Sequence, residues 1–130
     1  MATTPLKMIV KDCDEREVLA FDYEFDQAVG NDNQMTGIPR GGLVHVTTKA
    51  LNTGKADLTA WMLNPTDGRE VEFQFVETVS GKAQKTYKFQ GSYCIDYTEK
   101  WVEGVGHTET LTMTCQNMDF NGVQFQNGWL

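Results

Sequence analysis

Hydrophobic and polar residues alternate most plainly at residues 17–28, EVLAFDYEFDQA. Leu19, Phe21, Tyr23 and Phe25 fall on one parity, and Val18, Ala20, Asp22, Glu24 and Asp26 on the other. Successive side chains of an extended chain point to opposite faces, so one face is almost wholly aromatic and the other mostly acidic. The pattern predicts a strand with its aromatic face on a core and its acidic face toward water or a polar partner.

The same period recurs along the chain. Residues 6–11 form a short apolar run, and the charged turn at 12–16 returns it antiparallel into the first long strand. Residues 43–49, LVHVTTK, are β-branched and read as a strand. Residues 70–79 set Val71, Phe73 and Phe75 against Glu70, Glu72 and Gln74, and a turn at Ser80-Gly81-Lys82 joins them in a hairpin to residues 84–98. There Tyr87, Phe89, Tyr93, Ile95 and Tyr97 share a parity that Trp101 continues. Gly91 interrupts it, and a lone glycine in a strand predicts a bulge or bend. After the turn EGVGH at 103–107, residues 109–117 alternate Leu111, Met113 and Cys115 with Thr110, Thr112, Thr114 and Gln116. Asn121-Gly122 and Asn127-Gly128 then bracket a last strand at 123–126.

One segment departs from this period. In residues 56–64, ADLTAWMLN, the residues Leu58, Trp61 and Met62 lie at i, i+3 and i+4, the stripe of a helix. Pro65 ends it, because proline disfavours helix at the preceding residue. The stripe reads as a cover over the end or side of a barrel. Residues 29–42, VGNDNQMTGIPRGG, carry glycine, proline and asparagine without period. A connection of that length is usually functional or disordered. Its apolar Met35, Ile38 and Pro39 point to a loop ordered by contact with something.

The elements add up to a single domain over residues 1–130. It is mainly β: six or seven strands in a curled, antiparallel two-sheet barrel or sandwich with one short α-helix. Open edges on such strands recruit other chains unless they are closed or paired.

Charge narrows the partners. A formal net charge of −7 repels nucleic acid and anionic membranes. No apolar run reaches the ~20 residues of a membrane-spanning helix, and the N-terminus does not read as a secretory signal. Cys13, Cys94 and Cys115 are odd in number and lack C-x-x-C spacing, so they read as reduced thiols of a protein folded in the cytosol.

Catalytic, cofactor and metal sites are not expected. Asp22, Glu24 and Asp26 share a strand face, but same-face neighbours stand about 7 Å apart, too far for one ion to take all three unaided. His45 sits mid-strand and His107 in a turn, with no serine elbow or H-E-x-x-H nearby. Gly104-Val105-Gly106 is too short for a phosphate loop.

Taken in order, several stretches resemble the Hcp/TssD tube proteins of type VI secretion systems, in their divergent Bacteroidota form. They are LAFDYEFDQ at 19–27, PRGG followed by LVHV at 39–46, WMLNP at 61–65, YKFQGSYCIDY at 87–97 and LTMTC at 111–115. The resemblance implies a non-enzymatic subunit that closes into hexameric rings. The rings stack into a hollow tube, which a contractile sheath drives out behind a spike and which holds effector proteins in its lumen. The protein would stay in the cytoplasm until firing and leave through the machine without a signal peptide. The resemblance also implies that the loop residues Met35, Thr36, Gly37, Ile38, Pro39, Arg40, Gly41 and Gly42 reach a neighbouring subunit or ring. The acidic face of Asp22, Glu24 and Asp26 would line the lumen or the outer wall. Tube proteins of phage-like extracellular injection particles share this fold and are one alternative. Another is a monomeric ligand-binding barrel with a pocket lined by Phe21, Phe73, Phe89 and Tyr93. A hydrolase built on Cys94, Cys115 or His45 ranks far behind.

Overall fold

The computed structural model describes residues 5–26, 40–51, 55–64, 66–76 and 82–127, with the side chains of Asp26, Arg40, Ala83 and Gln84 outside that description. Among the described residues, seven strands and one helix follow in the order β1 (Leu6–Val10), β2 (Arg16–Asp26), β3 (Arg40–Lys49), α1 (Asp57–Met62), β4 (Arg69–Val76), β5 (Ala83–Val102), β6 (Gly106–Phe120) and β7 (Val123–Gln126). All ladders are antiparallel. The sheet runs β3-β2-β1-β4-β5-β6-β7, and a further β3–β6 pairing closes it into a barrel.

The edge of β6 has two successive partners. Residues Thr108–Thr114 pair with β3, and Asn117–Phe120 pair with β7. Asn127 stitches the handover. Its Nδ2 donates to the carbonyls of Gly41 at 3.2 Å and Cys115 at 2.7 Å, and its N–H donates to Gln116 at 2.8 Å.

The interior follows the alternation of β3, β4 and β6. Val44, Val46, Val71, Phe73, Leu111, Met113 and Cys115 are buried. Phe89 stacks into this core, its ring centroid 5.5 Å from that of Phe73, which lies 4.5 Å from Phe21. Among the described residues, aromatic rings fill the space between Phe21, Phe73 and Phe89 where a ligand-binding barrel would hold its pocket. Tyr93, expected to line that pocket, instead packs its ring where a Cβ on Gly68 would stand.

The displacement of Tyr93 has a local cause. Arg69 pairs with Ser92 but Val71 with Phe89, so β5 carries one more residue than β4 across this step. Gly91 sits in the extra position with a φ of +61°, open to glycine and strained for most residues. Inward parity passes from Phe89 to Ser92 and Cys94. A second bulge between Cys94 and Asp96 turns Ile95 outward and restores Tyr97 to the core side. The bulge expected at Gly91 is thus present, while the placing of Tyr93 and Ile95 on the core parity beyond it is corrected by the added residues.

Helix α1 turns its apolar stripe onto the barrel core. Leu58 and Trp61 are buried, and the Trp61 indole N–H donates to the Asp67 carbonyl at 2.8 Å. A buried ionic lock holds the helix to the strands. The Arg16 guanidinium bonds Asp57 at the start of the helix and Glu109 on β6, the latter at 2.9 Å. Tyr97 donates its hydroxyl to the same Glu109, and the Asp14 N–H donates to Asp57 at 3.0 Å. Burial alone would raise the Asp57 carboxyl, but hydrogen bonds from Arg16 and the Asp14 N–H outweigh it and hold it below the ordinary aspartate value.

Candidate assembly surface

Four adjacent strands, β2-β3-β6-β5, form one wall of the barrel. On its outer face the ladders align Asp22, His45, Thr112 and Asp96 in one row, and Glu24, Leu43, Thr114 and Tyr93 in the next. His45 Nδ1 lies 3.1 Å from the Thr112 hydroxyl, and its Nε2 is 3.9 Å from Glu24. Asp22 and Glu24 are exposed on this face. Asp26 pairs with Arg40 through the backbone.

The borders of this wall are unevenly covered. β1 pairs with β2 only at Glu17 and Arg16. Among the described residues no strand accompanies that edge of β2 farther along. At the other border β4 leaves β5 at Ser92. Bare strand edges of this kind are templates for further pairing.

The uncovered border changes what the aromatic face of β2 does. Phe21, Tyr23 and Phe25 stand opposite Val46, Val44 and Gly41, yet Tyr23 is 39 % and Phe25 38 % exposed. They shelter one another's edges instead, with Tyr23 4.6 Å from Phe120 and Phe25 4.6 Å from Phe125 between ring centroids. Leu19, expected on the core, is 50 % exposed. Val18 pairs with Thr48 and Ala20 with Thr47, so Leu19 is the extra residue of a bulge and Val18 takes the inward place. Between the β2 border and β1/β4 runs an open groove of about 340 Å³, lined by Leu6, Val18, Leu19, Tyr23, Phe75 and Tyr87 among others.

A second apolar feature was not legible in the sequence. The β5–β6 hairpin carries Trp101 at 67 % and Val105 at 82 % exposure, with Val102 beside them. Parity had joined Trp101 to the core side, but the core ends before the hairpin does. The signal was the placing of an indole next to a glycine-rich turn between Glu99, Lys100 and Glu103.

Of the loop residues expected at a subunit contact, Met35, Thr36, Gly37, Ile38 and Pro39 lie outside the described residues. Arg40, Gly41 and Gly42 open β3. Gly42 is the bulge residue of β3, with a φ of +87°, and a Cβ there would stand 2.9 Å from the Cys115 carbonyl and 2.5 Å from Asn127. A Cβ on Gly41 would meet the Phe25 ring at 2.4 Å. Both glycines thus admit close packing within the subunit.

The residues weighed for catalysis are engaged elsewhere. Burial pushes the Cys94 and Cys115 thiols up to about 11, and raises Cys13, which leaves little thiolate at neutral pH. Cys115 lies 3.3 Å from the Ser92 hydroxyl, and His107 bonds Glu99 at 2.6 Å.

The family model of hemolysin coregulated protein Hcp (TssD) matches residues 3–130. Hcp1 from Flavobacterium johnsoniae superposes with a TM-score of 0.84 at 22 % identity, covering 95 % of this chain and 99 % of that one. A double mutant of Hcp1 from E. coli EAEC 042 gives 0.74 at 12 % identity, covering 98 % and 100 %. The sheath–tube complex of an extracellular contractile injection system gives 0.58 at 9 % identity, covering 98 % and 92 %. No curated protein matches the sequence.

Proposed function

The chain belongs to the Hcp (TssD) family of type VI secretion tube proteins, and from that premise we propose that it is a structural subunit that closes into hexameric rings. The rings stack into a hollow tube, which sheath contraction expels with its spike. The subunit waits in the cytoplasm, carries effector proteins in the lumen and performs no catalysis. The observation that carries this reading is the uncovered border of β2, a long strand with a half-exposed aromatic face and no strand along its edge among the described residues. Ring closure needs a heterologous contact, one patch against a different patch of the next copy. A bare border with apolar side chains supplies one half of it.

In this reading the segment from Met35 to Gly42 reaches the neighbouring subunit or ring. Met35 and Ile38 bring apolar contacts and Arg40 a charged one. The wall bearing Asp22, Glu24 and Asp26 faces the lumen or the exterior. Similarity in fold to a sheath–tube complex favours, as a second reading, the tube of a phage-like extracellular particle. Purification from culture medium of free sheathed particles containing this chain would select it.

Native mass spectrometry and negative-stain imaging of the purified protein test the proposal. Rings of six are expected, and monomers alone at high concentration would overturn it. Ile38→Asp should weaken ring formation while leaving the monomer folded, because it places a charge in a contact that excludes water. Normal rings from this variant would remove the loop from the interface.

A further inference from the structure

Besides the exposed Leu63, Ile95 and Val123, two groups of exposed apolar side chains remain among the described residues. One is convex, the hairpin tip with Trp101, Val102 and Val105. The other is concave, the groove between the β2 border and β1/β4, with Leu19 and Tyr23 on its open side. We propose that the β5–β6 hairpin tip of one copy, led by Trp101, seats in the β2 groove of the next copy.

This rests on the ring-forming reading and assigns its contact. Three observations on this chain select a second copy as the occupant. First, the two features lie on different elements and differ in shape, so one chain carries a knob and a socket. Such a pair makes a head-to-tail contact that closes into a ring or propagates.

Second, the charges beside them are opposite. The turn holds Glu103, next to Val102; farther back on β5 Lys100 precedes Trp101, and Glu99 is bonded by His107 at 2.6 Å. The groove is bordered by Lys85, whose ammonium stands 5.0 Å from the Tyr87 ring and 5.8 Å from the Phe75 ring. A carboxylate arriving with the tip meets a cation already held over the aromatic wall.

Third, the hydrophobic content is misplaced for a free monomer. An indole and two valines on a projecting turn of a chain with a net charge of −7 gain nothing from water. Tryptophan is the residue type most enriched among interface anchors. The half-covered Leu19, turned out by its bulge, is the matching apolar wall.

Cysteine pairing tests the contact directly. The full chain is made with Cys13→Ser and Cys94→Ser, then with Val105→Cys, Leu19→Cys, or both. Under mild oxidation the doubly substituted chain should link into a ladder ending at the ring size. The two single variants should give disulfide dimers only when mixed. In parallel, Trp101→Ala should raise the concentration at which rings fall apart by about 30-fold, the effect of removing an interface anchor, with the monomer's melting unchanged.

Rings that form normally in both variants without cross-links would overturn this contact and leave the ring-forming reading standing. Disulfides formed by either single variant alone would also overturn it, because they mean like against like. Wild-type protein that never leaves the monomer overturns the ring-forming reading, and this contact with it.

Discussion

The part of the core under helix α1 and the β2 border both carry apolar stripes, helical in the one and alternating in the other, and end in opposite states. Under the helix Leu58 and Trp61 are buried, and the charges beside them are locked as Arg16 with Asp57 and Glu109. At the border Leu19, Tyr23 and Phe25 remain well exposed. Alternation decides which way a side chain points. Whether anything lies over it depends on the lengths of neighbouring elements, and β1 is five residues where β2 is eleven. The difference separates a region that holds the monomer together from one whose apolar side chains stay exposed in it.

Substitutions that keep the two regions apart should show a graded loss of monomer stability. The largest is Phe89→Ala, which opens a cavity in the filled interior and should cost about 3–5 kcal/mol by chemical denaturation. Arg16→Ala should follow at about 3 kcal/mol, because it leaves Asp57 and Glu109 buried without their cation.

The same lock sets a pH dependence. Asp57 is held below the ordinary aspartate value of 3.8 in the folded state. The stability it contributes is present in full above that value and lost as the pH falls through the folded one. Melting midpoints measured downward from pH 5 should fall more steeply for wild type than for Asp57→Asn.

Gly42→Ala ranks next at about 2 kcal/mol, since a Cβ at φ +87° is strained and close to the Cys115 carbonyl. Leu19→Ser should change monomer stability by under about 0.5 kcal/mol, because its side chain already meets water. A loss as large as that of Phe89→Ala would erase the distinction between the two regions.

Much of the barrel was legible. Each strand, the helix and the turns at Asp12, at 103–107 and at Asn121-Gly122 follow from parity and breakers in the sequence. Missed features trace to single inserted residues. Leu19, Gly42, Gly91 and Ile95 each shift a ladder by one, and a one-residue shift moves every later side chain to the other face. Gly91 announced its bulge, whereas Gly42 read as the end of a loop, and Leu19 and Ile95 look like ordinary strand residues. The ionic lock was also hidden, because Arg16 and Glu109 lie 93 residues apart and each resembles a surface charge in its own neighbourhood. For the candidate surface, the sequence supplied the acidic face of Asp22 and Glu24 and the aromatic face beside it. Its one sign that Trp101 lies beyond the core was the neighbouring glycine-rich turn, because the exposure itself depends on how far the β5–β6 hairpin outruns the strands around it.

The Arg16–Glu109 pair also bears on timing. Its partners come from opposite ends of the sequence, so a chain still being synthesised cannot complete the lock until most of β6 has emerged. Joining such distant segments carries a large entropic toll before any contact repays it, and folds wired this way are slow to form. Refolding followed by tryptophan fluorescence should therefore be slower than for a helical domain of the same length.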